Sequence, residues 1–363
     1  MKKLFFRSFL LLLWVLFIAL ILYAPRIQIL SNLFRQEEKS INVFSWGDIL
    51  DRNIINAFEK ETGIRVNLNY YASNEELIVK LKATQGLGYD LIVPSDYAVA
   101  TLIEERLLKK IDKTKLPFWN QINQNLLGHF FDPYNHYSIP FAWEIFLFGI
   151  DKEYFSQHIL PHSWQLLFDK EVVQYKISMT NDPIEAVLFA SFYLFGPHAT
   201  DLSPLQIKQV RELLIEQKKW VEVYASFRGD YFLATRNCPI AIASSSYILR
   251  AMRSFPFISF IIPKEGTFLA IENFVIPKLS TKEDLSYQFI NYLFRESSMQ
   301  THFESFGFFP STLQALDHLE LDEKSRDLIH STEDVFKNFY FTQEVMPEQQ
   351  IRDIWIEVKS GKY

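Results

Sequence analysis

From Ile41 onward the sequence alternates between short strand-type runs and helix-type runs, and this alternation restricts the fold more than any other feature. Ile41–Phe44 reads as a strand, followed by a turn at Ser45-Trp46-Gly47-Asp48. Ile54, Ile55 and Phe58 then recur at helical spacing, and Gly63 is placed to end that helix. Ile64, Val66, Leu68 and Tyr70 alternate as a strand with one buried face does. Ser73 and Asn74 are placed to cap the next helix, whose apolar stripe is Leu77, Ile78 and Leu81. Asp90–Val93 is a compact apolar run of the kind found in a central strand covered on both faces. Pro94-Ser95-Asp96-Tyr97 breaks it, and a helix follows to about Arg106. Such alternation implies parallel strands with helical crossovers, and in those sheets ligands bind outside the carboxyl ends of the strands. Trp46–Asp48 and Ser95–Tyr97 fall at two such ends.

A second unit of the same kind begins further along. Lys176–Met179 reads as a strand, and Thr180-Asn181-Asp182-Pro183 opens a helix over Ile184–Leu194. Ser280–Arg295 reads as another helix, with Leu285, Phe289, Ile290 and Leu293 inward. The extended, apolar stretch Tyr137–Phe148 is suited to cross between two lobes. Length supports two lobes, because about 320 of the 363 residues follow residue 40, more than one apolar core usually serves. The expected division is 41–145 with about 273–317 as lobe 1, and about 146–272 with 318–363 as lobe 2.

The amino terminus reads as an export signal. Lys2, Lys3 and Arg7 precede seventeen uncharged residues, Ser8–Ala24, which as a helix span about 26 Å. Positive charge on this flank places the start in the cytoplasm and the remainder outside it. Residues 1–25 are expected to be a cleaved signal peptide or an uncleaved anchor, and 26–40 a polar tether. Cleavage is disfavoured because Leu22 and Ala24, followed by Pro25, do not form a small-residue site. The single cysteine, Cys238, excludes an internal disulfide and reads as a small buried apolar residue.

Little in the chain suits catalysis. The eight histidines (at 129, 136, 158, 162, 198, 302, 318 and 330) form no ligand spacing, and only 11 glycines are present, with no phosphate loop. No metal and no cofactor is expected. A net charge of −6 argues against nucleic acid and is compatible with a cationic ligand. At the strand ends the polar residues are instead acidic: Asp48, Asp96, Asp182 and Glu185, with Glu144 and Glu272 in apolar surroundings. Carboxylates can replace the hydration of a dication, each ammonium contact contributing about 1.5–3 kcal/mol. Aromatic walls would hold its methylene chain and add roughly 0.5–2 kcal/mol of cation–π attraction. Two such contacts and one wall reach the roughly −8 kcal/mol of micromolar affinity. Duller roles remain open for each residue. Asp182-Pro183-Ile184-Glu185 fits a helix capping box, Ser95 and Asp96 can cap their own helix, and Trp46 and Tyr97 can be core aromatics.

Several stretches, in order, carry a resemblance. They are Trp46-Gly47-Asp48, Phe58–Ile64, Tyr71–Glu75, Tyr89–Ser95, Ile111-Asp112-Lys113, Tyr137–Pro140, Thr180-Asn181-Asp182 with Glu185, and Pro263–Gly266. Across residues 41–310 this resembles the bacterial spermidine/putrescine-binding proteins, substrate-binding components of polyamine ABC importers. The resemblance implies an α/β, two-lobed periplasmic binding protein fold (type II-like). Each lobe would be a mixed, mainly parallel sheet with flanking helices, and the ligand would be clamped between them. Carried over by position, it implies ligand roles for Trp46, Asp48, Ser95, Tyr97, Asp182, Glu185 and Glu272, and weaker ones for Trp143, Ser244 and Phe308. Its tryptophans are absent at Ala270 and near Ser244, a tyrosine at Ile49, and another near Phe308. The carboxylates are thus kept while the aromatic box is eroded, with Phe141, Trp143 or Phe268 as possible replacement walls.

The implied partners are a polyamine and the ABC permease subunits of the inner membrane, with the protein in the periplasm and a monomer sufficing. Alternatives are another amine, such as agmatine or a cationic amino acid, or an anchored sensor or scaffold. A two-carboxylate hydrolase is a weaker alternative, because Asp182 and Glu185 lie on one helical turn and would not face each other across a cleft.

Overall fold

The computed structural model describes Trp14 and residues 39–361, apart from 198, 226–227, 318, 320, 322 and 330–335. The leader and tether expected at 1–25 and 26–40 lie outside the described residues except for Trp14, Lys39 and Ser40, as do His198, His318 and His330. Among the described residues no helix is long and apolar enough to cross a membrane.

The first parallel group is β1 (Ser40–Ser45), with β2 (Arg65–Tyr70) and β3 (Leu91–Ile92) on either side. Local chemistry places its helices. Asp51 accepts from the Asn53 and Ile54 amides to start Arg52–Thr62, Gly63 ends it at φ 70°, and Ile54, Ile55 and Phe58 turn inward. Ser73 caps Asn74–Thr84, and Asp96–Glu104 follows the turn after β3.

The fourteen-residue β4 (Ser138–Asp151) then runs through the centre of the molecule. A second parallel group has β5 (Ile177–Thr180) between β6 (Val221–Ala225) and β7 (Ile240–Ser244). After β8 (Ile258–Ile261), β9 (Thr267–Val275) returns antiparallel to β4. Short β10 (Phe309–Pro310) and β11 (Phe339–Phe341) join β4 and β9. The resulting strand order is β2-β1-β3-β9-β4-β7-β5-β6. Both parallel groups expected from the sequence are present, and an antiparallel β9–β4 pair joins them. This is the two-lobed α/β architecture. Strand β4 is long because its first part, Ser138–Ile145, pairs with β9 while Phe146–Ile150 pairs with β7.

Each parallel group has its own apolar core. One packs Phe58, Phe141, Phe274 and Phe289, and the other Phe148, Trp164, Phe189 and Phe268. A third cluster, with Trp143, Phe260 and Phe309, lies along the β4–β9 centre. Cys238 is fully buried in keeping with its apolar role. The carboxyl-terminal part serves more than one group: Leu313–Asp317 packs beside Glu296–Phe306, whereas Glu348–Ser360 packs on Pro183–Phe195 and Pro204–Gln217.

One glycine locks the centre. Gly307 ends the helix Glu296–Phe306 at φ 81°, and a Cβ there would collide with the Ser246 carbonyl of the facing helix Ser245–Ser254. Gly307→Ala is expected to destabilise the protein by about 2 kcal/mol or more, read as a lowered urea midpoint. A midpoint equal to that of the unchanged protein would contradict this close approach.

Candidate ligand-binding cleft

Because β1 and β3 are parallel neighbours, the turns that follow them leave the sheet side by side. Strand β9 lies next to β3, and Ser95 bridges directly to Glu272. The Ser95 hydroxyl donates to Glu272 Oε1 at 2.7 Å, and the Trp46 indole N–H donates to Oε2 at 3.1 Å. Three elements distant in sequence therefore hold one carboxyl group.

Ser95 stands at the cap position of Asp96–Glu104 but makes no side-chain cap bond, so its hydroxyl serves Glu272 instead. Asp96 has the structural role: its buried carboxyl accepts from the Ile271 and Tyr97 amides and fastens the turn to β9. Trp46 is only partly buried, packed against Tyr71 at 4.6 Å, and Tyr71 is fixed by donating to the Val93 carbonyl. Burial, opposed by the Ser95 hydroxyl and reinforced by the Glu144 and Asp96 charges, pushes Glu272 up to about 8.

The opposite wall is built from β5 and the helix Pro183–Phe195. Asp182 caps that helix by accepting from the Ile184 and Glu185 amides. Glu185 does not reciprocate. Its Oε2 accepts from the Thr180 hydroxyl at 2.5 Å, while the Asp182 amide donates to Thr180 Oγ1. The capping box suggested by the sequence is therefore half formed, and the Glu185 carboxyl is turned away from the cap. Burial first, then the Asp182 charge, pushes it up to about 8.

Electrostatic coupling joins the two walls. Tyr97 donates to Glu75 Oε1 at 3.0 Å, and burial with the Glu75 and Asp182 carboxylates holds its hydroxyl above the ordinary phenol range. Tyr247, on Ser245–Ser254, is pushed up to about 12 by burial and by Glu144, with Asp48 and Asp230 contributing. Asp48 and Asp182 are themselves exposed. Trp46, Asp48, Ser95, Tyr97, Asp182, Glu185 and Glu272 thus lie in one neighbourhood around the carboxyl ends of β1, β3 and β5.

The weaker candidates divide. Ser244 ends β7, makes no cap bond, and lies beside the Glu144 carboxyl. Trp143 does not reach the cleft: it is fully buried, donates to the Pro310 carbonyl and packs on Phe309 and Phe336. Phe141 and Phe268 are likewise core residues. Alternation explains Phe141 and Trp143, since along β4 only Glu144 and Phe146 emerge, two residues apart on one face, whereas Phe268 on β9 is taken up by packing on Phe189 and Phe192. Phe146 is therefore the β4 aromatic on the cleft side. Phe308 is half-buried against His302 and the core of the first parallel group. Two surface hollows elsewhere, about 390 and 260 Å³, contain none of these groups.

Residues 53–327 match the family described as bacterial extracellular solute-binding protein. The chain belongs to that family. Relatives of this solute-binding protein include a putrescine-binding periplasmic protein of Pseudomonas aeruginosa, 29% identical over 90% of this chain and 93% of the relative. A spermidine/putrescine-binding periplasmic protein of Escherichia coli is 25% identical over 92% and 95%. Among solved structures, the spermidine/putrescine ABC transporter substrate-binding protein of Streptococcus pneumoniae superposes with a TM-score of 0.76. It is 22% identical, with 90% of this chain and all of that one covered. These likenesses agree with the two-lobed fold expected from the sequence.

Within this solute-binding protein, Tyr71, Tyr247 and Glu144 also lie beside these groups, outside the residues to which the resemblance gives ligand roles. Glu144 carried a usable signal: it is the one charged residue between Ser138 and Ile150. The others became visible only when the chain was folded.

Proposed function

We propose that the protein binds a polyamine, spermidine or putrescine, in the cleft and delivers it to an ABC permease. The observation that carries this reading is the gathering of Glu272, Glu185, Asp182 and Asp48 around strand ends contributed by both parallel groups. Two protonated nitrogens would neutralise the buried Glu272 and the half-buried Glu185. Trp46 and Tyr97 would flank the methylene chain, with Ser244 contributing at the β7 end. The relatives' printed names, putrescine-binding and spermidine/putrescine-binding, support the same ligand class. The role is binding without catalysis, since the carboxyl pair Asp182–Glu185 sits on one helical turn and suits one ammonium better than acid–base work.

The lobe limits 41–145 with 273–317, and 146–272 with 318–363, remain our assignment, with closure about β4 and β9. So does a periplasmic protein held to the inner membrane by residues 1–25 and acting as a monomer.

Spermidine or putrescine at a hundredfold excess over Kd should stabilise the purified protein by about 2.7 kcal/mol, seen as a raised melting temperature. A panel including agmatine and lysine ranks the amines. No shift with any amine, together with a clear shift from an anion or a neutral sugar, would overturn this ligand class.

A further inference from the structure

Glu144 is the acidic group that the polyamine reading leaves unused. It stands midway along β4, in a strand otherwise apolar from Ile139 to Ile150. In the β4–β9 register Ala142 faces Glu272 and Glu144 faces Ala270, so Glu144 and Glu272 share one face as diagonal neighbours, about 7–8 Å apart at Cα. The residue opposite it across the pair is the small Ala270. Its Oε2 is enclosed and has no hydrogen-bond partner among the described residues, while the Ser246 and Ser244 hydroxyls and the Ser246 amide act on the carboxyl group as donors that favour its charged form. Arg250, whose charge acts on it, is stacked over the Tyr247 ring at 4.8 Å. Glu144 acts electrostatically on Glu272 on one side and on Glu185 on the other. In sheet order it is the middle of three: β9 carries Glu272, β4 carries Glu144, and β5 leads to Glu185 beyond β7.

A carboxyl group with one oxygen left unpartnered, placed between two carboxyl groups that would take the ends of a linear amine, has one evident complement. We propose that Glu144 receives a protonated nitrogen in the middle of the ligand chain, making the protein selective for a linear triamine over a diamine. This rests on the polyamine reading and deepens it. A diamine leaves the middle carboxyl unneutralised between two others, whereas a triamine supplies one positive charge for each.

The test is a cycle of two proteins and two ligands of equal length. Spermidine is compared with diaminooctane, in which a methylene takes the place of the central nitrogen, on the unchanged protein and on Glu144→Gln, by calorimetric titration. On the unchanged protein spermidine is expected to bind about tenfold to a hundredfold tighter than diaminooctane, the range of one charge-assisted hydrogen bond. In Glu144→Gln that ratio collapses toward one, and the coupling between substitution and ligand isolates the contact. The ligand comparison on the unchanged protein stands by itself should the variant fold poorly. Equal affinity for both ligands, or a ratio that survives Glu144→Gln, overturns the role of Glu144 while leaving polyamine binding intact. Binding of neither ligand overturns the polyamine reading itself.

Discussion

Glu272→Gln should weaken spermidine binding by about a hundredfold or more, the largest effect expected of any single substitution in the cleft. The carboxyl group is buried and both its oxygens are held by donors from other elements, Ser95 after β3 and Trp46 after β1. An amide of the same shape keeps an acceptor for one of those donors but offers an ammonium group no charge. Without ligand the substitution removes a buried acid crowded by Glu144 and Asp96, so the melting temperature at pH 8 should hold or rise. Titration of the variant with spermidine, beside its melting curve, separates the two effects. An affinity within a few-fold of the unchanged protein would mean that Glu272 does not touch the ligand. Lost affinity accompanied by a collapsed melting temperature would assign it a structural role.

The second large effect is on pH. Glu272 and Glu185 are both pushed up to about 8 and Glu144 to about 7, in each case chiefly by burial. In the empty protein these groups therefore hold protons at pH 6 that a bound polyamine must displace. Since the amine stays largely charged up to about pH 8, affinity should rise by about two orders of magnitude between pH 6 and 8, levelling off above the raised values. Stability of the empty protein runs the other way. A folded-state value above the ordinary 4.5 means that the folded chain binds more protons than the unfolded chain between about 4.5 and 8. The stabilisation from these groups is present at low pH and is lost as the pH rises through 8. The empty protein should thus melt lower at pH 8 than at pH 6, and saturating spermidine should remove the difference. Affinity independent of pH across this interval would show that these carboxyl groups do not meet the ligand.

Much of the lobe architecture was legible because strand and helix periods are local properties. The helix begun at Asp51 and ended at Gly63, the strand before Ser95, and the turn from Thr180 to Pro183 all form where their residue types demand. What the sequence concealed was pairing between distant segments. The central β4–β9 pair is antiparallel, and only its register shows that Glu144 and Glu272 share a face while Trp143 turns into the core. Side-chain partnership was hidden for the same reason. Ser95 and Glu185 sit at textually correct capping positions, yet their polar atoms go to Glu272 and Thr180. A capping residue identified by spacing is a statement about backbone position, and the fold decides where its oxygen points. Replacement aromatics chosen by proximity in sequence failed likewise, since alternation sends Phe141 and Trp143 inward and brings Phe146 to the cleft side.

The most direct test of carboxyl groups converging on a cationic guest is calorimetric titration with spermidine at pH 7.5, in two buffers of different ionisation enthalpy. One saturable site with net release of protons to the buffer is the result expected here. Binding without proton release, or no binding at all, would contradict it.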